Sequence, residues 1–190
     1  GGISPLSNIS NSTIVHCNEY GTWHHYDTDD HGFNNPINII QNSNATNITL
    51  IGDSFVEGHC VSGGKDIGSK LRELGFNVHN LGQAGGGVIF YNAIYREYSR
   101  TNSDFTPDYV LMFLFFDNDL NDTYSEFSNT LFRKYIDNSS FNQNLINRQD
   151  ESDELQKEFF KLVSDPKFGE KYPKLSHLTP KRFIKDEKMT

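Results

Sequence analysis

A serine at position 54 lies in a setting that suits a catalytic nucleophile. The apolar run Ile48–Ile51 is followed at once by Gly52, Asp53 and Ser54, and a second glycine stands at Gly58. A short apolar run that stops at small and acidic residues predicts a buried strand followed by a tight turn. Such a turn can present a hydroxyl for attack on a carbonyl carbon, the first step of acyl transfer. The alternative is that Ser54 only caps the helix that follows.

Two further positions could supply the hydrogen-bond donors that acyl transfer needs for its oxyanion. Gly85 follows a second predicted strand, Asn77–Leu81, and Asn118 follows a third, Tyr109–Phe116. The backbone N–H groups of Ser54 and Gly85, together with the side-chain amide of Asn118, can form an oxyanion hole. In open α/β sheets, ligands bind beyond the carboxyl ends of the strands. We therefore expect Ser54, Gly85 and Asn118 to face one crevice.

The elements that would position these residues alternate between strand and helix. Asp66 can cap a helix that Gly75 closes, and a second helix is predicted from Gly85–Gly87 to about Arg100. The eight-residue apolar run at 109–116 predicts a strand that is buried on both faces, as in a parallel sheet. Strand starts about 30 residues apart are typical of right-handed βαβ units. We expect an α/β fold with three layers, α/β/α, and a flavodoxin-like parallel sheet.

The chain divides into an N-terminal arm and an α/β domain. Residues 1–47 are polar and rich in turn residues, which predicts an irregular arm that holds at most a hairpin. Residues 48–190 carry the α/β pattern, with further helices predicted at 125–135 and 151–163. No strand-like apolar run occurs after residue 116, although a doubly wound sheet usually has about five strands. We expect the C-terminal part of this domain to be missing.

Three segments resemble sequence blocks of the SGNH, or GDSL-type, ester hydrolases. They are GDSFVEG at 52–58, NLGQAG at 80–85 and DNDL at 117–120. The resemblance implies that Ser54 is the nucleophile and that Gly85 and Asn118 stabilise the oxyanion. It covers roughly residues 48–120, and two flanking segments, 26–36 and 141–155, are more loosely similar to uncharacterised bacterial proteins.

Two departures from the family pattern bear on activity. Asp117 stands where the family usually has glycine, and the fourth block, Asp-x-x-His, is absent, because none of the seven histidines has an aspartate three residues before it. We expect the catalytic histidine beyond Thr190. Two histidines of this chain are considered as substitutes, His177 and His59, and both are more typical of surface residues.

The resemblance implies a serine ester hydrolase that works through an acyl-enzyme and needs neither a cofactor nor a metal. Its expected substrate is a small-molecule or glycan acyl ester, such as an acetyl group on a carbohydrate. The missing histidine favours the alternative of a catalytically inactive SGNH-like module that binds a glycan or a protein. A structural fragment without activity of its own is the third interpretation.

Charge and hydropathy argue against two other classes of function. The net charge is −8, and no basic stripe is present that could follow a phosphate backbone, which argues against nucleic-acid binding. No apolar stretch approaches 18 residues, so no membrane-spanning segment is predicted. The chain begins with Gly-Gly rather than methionine, which leaves a removed signal or anchor open.

Several other patterns favour structural roles. The segment 27–32 begins like a calcium loop, but its twelfth position is Asn38 instead of glutamate. Asp119 and Asp122 are interpreted as part of a solvated loop rather than as a metal pair. A tyrosine stripe is interpreted as core rather than as a sugar platform, and it consists of Tyr91, Tyr95 and Tyr98. Cys17 and Cys60 are compatible with a disulfide and equally with two free thiols.

Overall fold

The structure is a computed structural model of the 190-residue chain. It describes residues 2–19, 21–37, 42–100, 102 and 104–173. Two compact units are distinguished, with the boundary after Asp153. All strands of the described chain, and all three predicted site residues, belong to the first unit.

The N-terminal residues form an antiparallel hairpin. Strand β1 (Thr13–Glu19) pairs with β2 (Thr22–Asp27), which confirms the hairpin predicted for the arm. The rest of the described arm before residue 47 is irregular. Two of its apolar side chains, Leu6 and Phe33, are nevertheless buried in the main core cluster. The arm therefore contributes to the same core as the sheet.

Three parallel strands form the sheet. Strand β3 (Asn47–Ile51) lies between β4 (Asn77–Asn80) and β5 (Tyr109–Met112). The three predicted strands and the α/β class are confirmed. Strand β5 is shorter than the predicted strand, because its ladder with β3 ends where Met112 pairs with Ile51.

The prediction that the apolar run at 109–116 is buried on both faces is wrong. In the described sheet β5 has only β3 as a neighbour, and its four side chains are between 40 and 62% exposed. The four apolar residues that follow, 113–116, are exposed as well. The run has the composition of a central strand but occupies the edge of the described sheet.

Helix α1 (Ser54–Glu57) follows β3, and α2 (Ile67–Glu73) precedes β4. As predicted, Asp66 caps α2: its carboxylate accepts hydrogen bonds from the N–H and the hydroxyl of Ser69, at 2.9 and 2.6 Å. Gly75 takes a left-handed φ of 92° just beyond the helix, a conformation that glycine adopts without strain.

Helix α3 (Val88–Ile94) continues as a π-helical turn (Tyr95–Ser99), which confirms the helix predicted in this region. The tyrosine stripe belongs to the core, as predicted, since two of its members are fully buried and Tyr95 packs against the same cluster.

Successive residues of β3 contact different helices. Ile48 and Leu50 pack in one apolar cluster with side chains of α2. Ile51 packs in a second cluster with side chains of α3, and Thr49 Oγ1 lies 3.3 Å from Ser99 Oγ in the π-helical turn. The two faces of the central strand are therefore covered by different elements.

The single helix predicted at 125–135 is wrong, because two helices take its place. They are α4 (Asp119–Glu126) and α5 (Thr130–Asp137). The side-chain oxygen of Asn129 accepts hydrogen bonds from the N–H groups of Leu131 and Phe132, which starts a new helix after a turn.

Helix α6 (Gln149–Ser164) confirms the helix predicted at 151–163, and the short α7 (Phe168–Lys171) follows it. At 16 residues α6 is the longest helix described, and no helix in the described ranges has both the length and the apolar character needed to cross a bilayer.

Candidate active site at the ends of the parallel strands

Ser54 is the first residue of helix α1, directly after the end of β3. The helix is capped by Asp53, whose carboxylate accepts a hydrogen bond from Phe55 N–H at 3.0 Å. The alternative interpretation of Ser54 as the cap is therefore wrong. The Ser54 side chain is half-buried, and its hydroxyl has no hydrogen-bond partner among the described residues.

Backbone hydrogen bonds bring the segments after the three strands together. Gln83, in the segment after β4, donates its N–H to Gly52 O at 3.0 Å. Phe113, in the segment after β5, donates its N–H to Ile51 O at 2.8 Å. The residues that lead into Ser54 are thus flanked on both sides, by the loops where Gly85 and Asn118 were predicted to act.

Two glycines allow this close approach. A Cβ at Gly52 would lie 2.6 Å from Val56 Cγ2, and a Cβ at Gly82 would overlap the backbone N of Glu57. Any larger residue would push the loop after β4 away from α1. The glycine of the Gly-Asp-Ser motif therefore has a steric role in this structure.

Gly85 lies in the exposed loop between β4 and α3. Its φ of +75° falls in the left-handed region, and its N–H donates no hydrogen bond within the described chain. The preceding residue, Ala84, donates its N–H to Glu57 Oε2 at 2.6 Å. Because Glu57 belongs to α1, this bond holds the Gly85 loop against the helix that begins with Ser54.

Asn118 is the residue before α4, and its side-chain amide is already engaged. Nδ2 donates to Asp122 Oδ2 at 3.1 Å, one turn further along the helix. Asp119 is only 1% exposed, and its Oδ2 accepts from Phe115 N–H at 2.8 Å. Its interpretation as part of a solvated loop is therefore wrong, whereas Asp117 is exposed.

A buried polar cluster that the sequence did not predict consists of Asp53, Tyr91 and Asp119. Burial raises the pKa of Asp53, a hydrogen bond from Phe55 N–H opposes this shift, and the negative charge of Asp119 adds to it. Burial also raises the pKa of Tyr91, as does the charge of Asp119. Neither Tyr91 OH nor Asp119 Oδ1 has a hydrogen-bond partner of normal geometry among the described residues. Both atoms could therefore form a further hydrogen bond, and their cluster includes Asp53, the residue directly before Ser54.

Of the two histidines considered as the base, His59 lies in the described part of the chain, and its ring is not hydrogen-bonded to the Ser54 hydroxyl. His59 is not the plain surface residue that was predicted: its Nδ1 lies 2.6 Å from His16 Nδ1 on the hairpin. His177 lies outside the described residues. Within the described ranges, the segments after β4 and β5 therefore flank the residues before Ser54, and no histidine ring is bonded to the hydroxyl of that serine.

The calcium-loop pattern of the arm forms a turn. The carboxylate of Asp29 accepts hydrogen bonds from the N–H groups of His31 and Phe33 and from the amide of Asn35, at 2.8 to 2.9 Å. Burial raises the pKa of Asp29, and these hydrogen bonds act in the opposite direction. The Asp29 carboxylate therefore stabilises the turn formed by residues 29–35.

The alternatives left open for the cysteines are resolved. Cys17 and Cys60 form a disulfide, with 5.4 Å between their Cα atoms, which ties β1 to the residues after α1.

A cavity of about 650 Å³ opens between β2 and α2, away from the predicted site residues. Tyr26, Asn35 and Arg72 are among its lining residues. The guanidinium of Arg72 donates to Asn35 Oδ1 and Val78 O, so it is engaged in hydrogen bonds within the protein.

Comparisons of the chain with family models, with curated proteins and with solved structures give no match. The membership of the SGNH hydrolases stays a prediction that rests on the three sequence blocks.

Proposed function

We propose that this chain is a serine ester hydrolase of the SGNH type, with Ser54 as its nucleophile. One observation supports the proposal most directly. Backbone hydrogen bonds join the segments after β4 and β5 to residues 51 and 52, which directly precede the Asp53-Ser54 turn. Acyl transfer needs a nucleophile and oxyanion donors within a few ångströms of one carbonyl group, and strand ends of a parallel sheet supply such an arrangement.

The proposed fold is the three-layer, flavodoxin-like arrangement of that family. It is supported by β3, whose alternate side chains pack against α2 and against α3 with its π-helical continuation. The short sheet order, β4-β3-β5, is also compatible with the first three strands of a doubly wound sheet.

In the proposed mechanism, the Ser54 oxygen forms a bond to the carbonyl carbon of a small acyl ester, such as an acetylated carbohydrate. The carbonyl oxygen becomes an oxyanion, for which the unbonded N–H groups of Ser54 and Gly85 are available donors. Collapse breaks the bond to the alcohol, which leaves with the proton that Ser54 lost. Water then hydrolyses the acyl-enzyme. The proposal assigns no described residue as the base that carries this proton.

A fluorophosphonate reagent tests the nucleophile directly, because it forms a covalent adduct only with an activated serine. We expect slow formation of the adduct, since no described residue is assigned as the base, on the peptide that contains Ser54. The adduct should be lost in Ser54→Ala and retained in Ser128→Ala, which changes an exposed serine on the loop before α5. An unlabelled wild-type chain, or labelling that survives Ser54→Ala, contradicts the assignment.

A second candidate is an SGNH-like module that binds a glycan without cleaving it. The observation that favours it is the bond of the Asn118 amide to Asp122, because this amide is then not free for an oxyanion. The two candidates are separated by the same reagent, since only the hydrolase is labelled at Ser54.

A further inference from the structure

Two histidines and a glutamate converge where the hairpin meets helix α1. His16 belongs to β1, Glu57 is the last residue of α1, and His59 follows two residues later. The Nδ1 atoms of His16 and His59 are 2.6 Å apart, and the two rings meet edge to face with 3.9 Å between their centroids. One ligand-type atom from each of the three residues lies within 4.8 Å of the other two.

Covalent and hydrogen bonds hold this cluster in place. Cys17 directly follows His16, Cys60 directly follows His59, and the disulfide joins the two cysteines. The cross-link therefore fixes the backbone positions from which both imidazoles extend.

The carboxylate of the cluster is also held by its neighbours. Tyr26 OH donates to Glu57 Oε1 at 2.6 Å, and Ala84 N–H donates to Oε2 at 2.6 Å. Asn8 Nδ2 also donates to Oε1, at 3.3 Å, so the carboxylate oxygen with a lone pair left for a metal is Oε2. Outer hydrogen bonds of this kind orient ligands in metal sites.

The two imidazoles are suited to bind a cation other than a proton. Nitrogens 2.6 Å apart cannot both carry hydrogen, so at least one presents a lone pair to the other. A neutral imidazole with a lone pair on one ring nitrogen is the form in which histidine binds metals. His16 Nε2 is buried and has no hydrogen-bond partner in the described chain.

We propose that His16, Glu57 and His59 bind a divalent transition-metal ion, with zinc as the best fit. Two imidazoles and one carboxylate are a ligand set of zinc sites that keep a fourth position open for water. Calcium and magnesium prefer all-oxygen sites, so nitrogen ligands argue against both. Two nitrogens on a tetrahedral zinc ion are about 3.4 Å apart. Binding through both Nδ1 atoms, which are 2.6 Å apart here, therefore requires the rings to separate by about 0.8 Å.

The nearby cysteines offer the main rival ligand set. Their sulfur atoms and His59 also form a compact group, but in the disulfide the sulfurs are not thiolates and do not act as ligands. Zinc binding to the oxidised chain therefore separates the two sets. This measurement does not involve ester hydrolysis, so its result tests the metal site independently of the proposed function.

The test is calorimetric titration of the oxidised, metal-free 190-residue chain with zinc chloride. We expect one zinc ion per chain, and at least about tenfold weaker binding in His16→Ala and in His59→Ala. The matched control is His25→Ala, which removes an exposed histidine one residue from His24 on β2 and is expected to bind zinc like the wild type. Circular dichroism establishes that each variant is folded, and Glu57→Gln provides a third, nearly isosteric ligand variant.

Cobalt(II) absorption gives a second readout on the unmodified chain. We expect the visible bands of a site with nitrogen and oxygen ligands, without the near-ultraviolet charge-transfer band of thiolate ligands. Absence of zinc binding overturns the proposal, as does equal weakening by His25→Ala. Binding that requires prior reduction by a dithiol also overturns it, because the cysteines would then be the ligands.

Discussion

The hydroxyl of Ser54 and the amide of Asn118 differ in how far neighbouring residues already use them. The Ser54 hydroxyl has no hydrogen-bond partner in the described ranges, whereas Asn118 Nδ2 donates to Asp122 Oδ2 at 3.1 Å. An oxyanion would have to compete with the Asp122 carboxylate for this amide. The competition can be measured one residue at a time.

In a chain whose Ser54 reacts with fluorophosphonate, we expect Asn118→Ala to lower turnover of p-nitrophenyl acetate by roughly 100- to 1,000-fold, because one oxyanion donor contributes about this much. The half-buried Asn118 donates only this one local bond, so the urea midpoint should change little. The control is Asp122→Ala, which removes the competing acceptor and should leave turnover equal or higher. Unchanged turnover in Asn118→Ala would mean that its amide serves only α4.

A buried histidine makes stability depend on pH. His79 in β4 is enclosed, and its ring lies 5.3 Å from that of Phe105. Burial, with the positive charges of His31 and Arg72, lowers the pKa of His79 to about 3. Between that value and about 6.5, the unfolded chain binds a proton that the folded chain excludes. The contribution of His79 to the free energy of unfolding therefore decreases as the pH falls through this range.

We expect His79→Gln, which cannot titrate, to lose less stability than the wild type between pH 7 and pH 4.5. The difference in slope is at most about 1.4 kcal/mol per pH unit, the value for one proton. Urea unfolding at a series of pH values measures it. His16 contributes with the same sign, because its pKa is also lowered, to about 4, so a smaller slope remains in the variant. Equal slopes in both proteins would contradict the assignment to His79.

The sequence predicted those parts of the site that depend on neighbours along the chain. Ser54 after a strand and Asp66 as a helix cap were recognisable, because turns and caps are formed by residues a few positions apart. The contact between His16 and His59 was missed, since it joins residues 43 positions apart through a hairpin whose register the sequence does not specify. The burial of Asp119 was missed for the same reason.

At the scale of elements, the hairpin is attached to the α/β unit by one covalent bond. Cys17 and Cys60 are 43 positions apart, so their disulfide closes a long loop that includes β2, β3 and α1. Such a loop loses much of its conformational entropy in the unfolded state when the bond is present. The hairpin should therefore be the element most affected by reduction.

We expect the double variant Cys17→Ser, Cys60→Ser to lower the free energy of unfolding by about 2–4 kcal/mol. Chemical denaturation measures the change, and the wild type in excess dithiothreitol is the matched control, which should unfold like the double variant. A variant as stable as the oxidised wild type would show that the hairpin needs no cross-link.

Element boundaries were predicted less well than element types. The three strands and the helices at 67–73 and 88–99 follow from apolar spacing and end signals. The break between α4 and α5 was missed, because Asn129 is one of many asparagines in the chain and its capping role depends on the backbone. Apolar composition also gave the wrong environment for β5, since the position of a strand within a sheet depends on distant pairing.

At the scale of the whole molecule, the described sheet exposes one long apolar edge. Strand β5 pairs with β3 on one side, while its side chains and those of residues 113–116 are exposed. Unpaired N–H and C=O groups on a flat, apolar edge strand are a template for pairing with another chain, and proteins commonly block such edges with lysine. No lysine or other charged residue interrupts the run from Tyr109 to Phe116.

We therefore expect the 190-residue chain to associate reversibly as its concentration rises, and Leu111→Lys to suppress this association by placing a charge in the middle of β5. Sedimentation velocity over a series of concentrations measures both effects. The matched control is Leu74→Lys, which places the same charge at a more exposed leucine, 74% against 40% for Leu111, just after α2. If exposed apolar area in general drives association, the two variants should behave alike. If the edge strand drives it, only Leu111→Lys should leave a monomer, and a wild-type chain that stays monomeric throughout would contradict both.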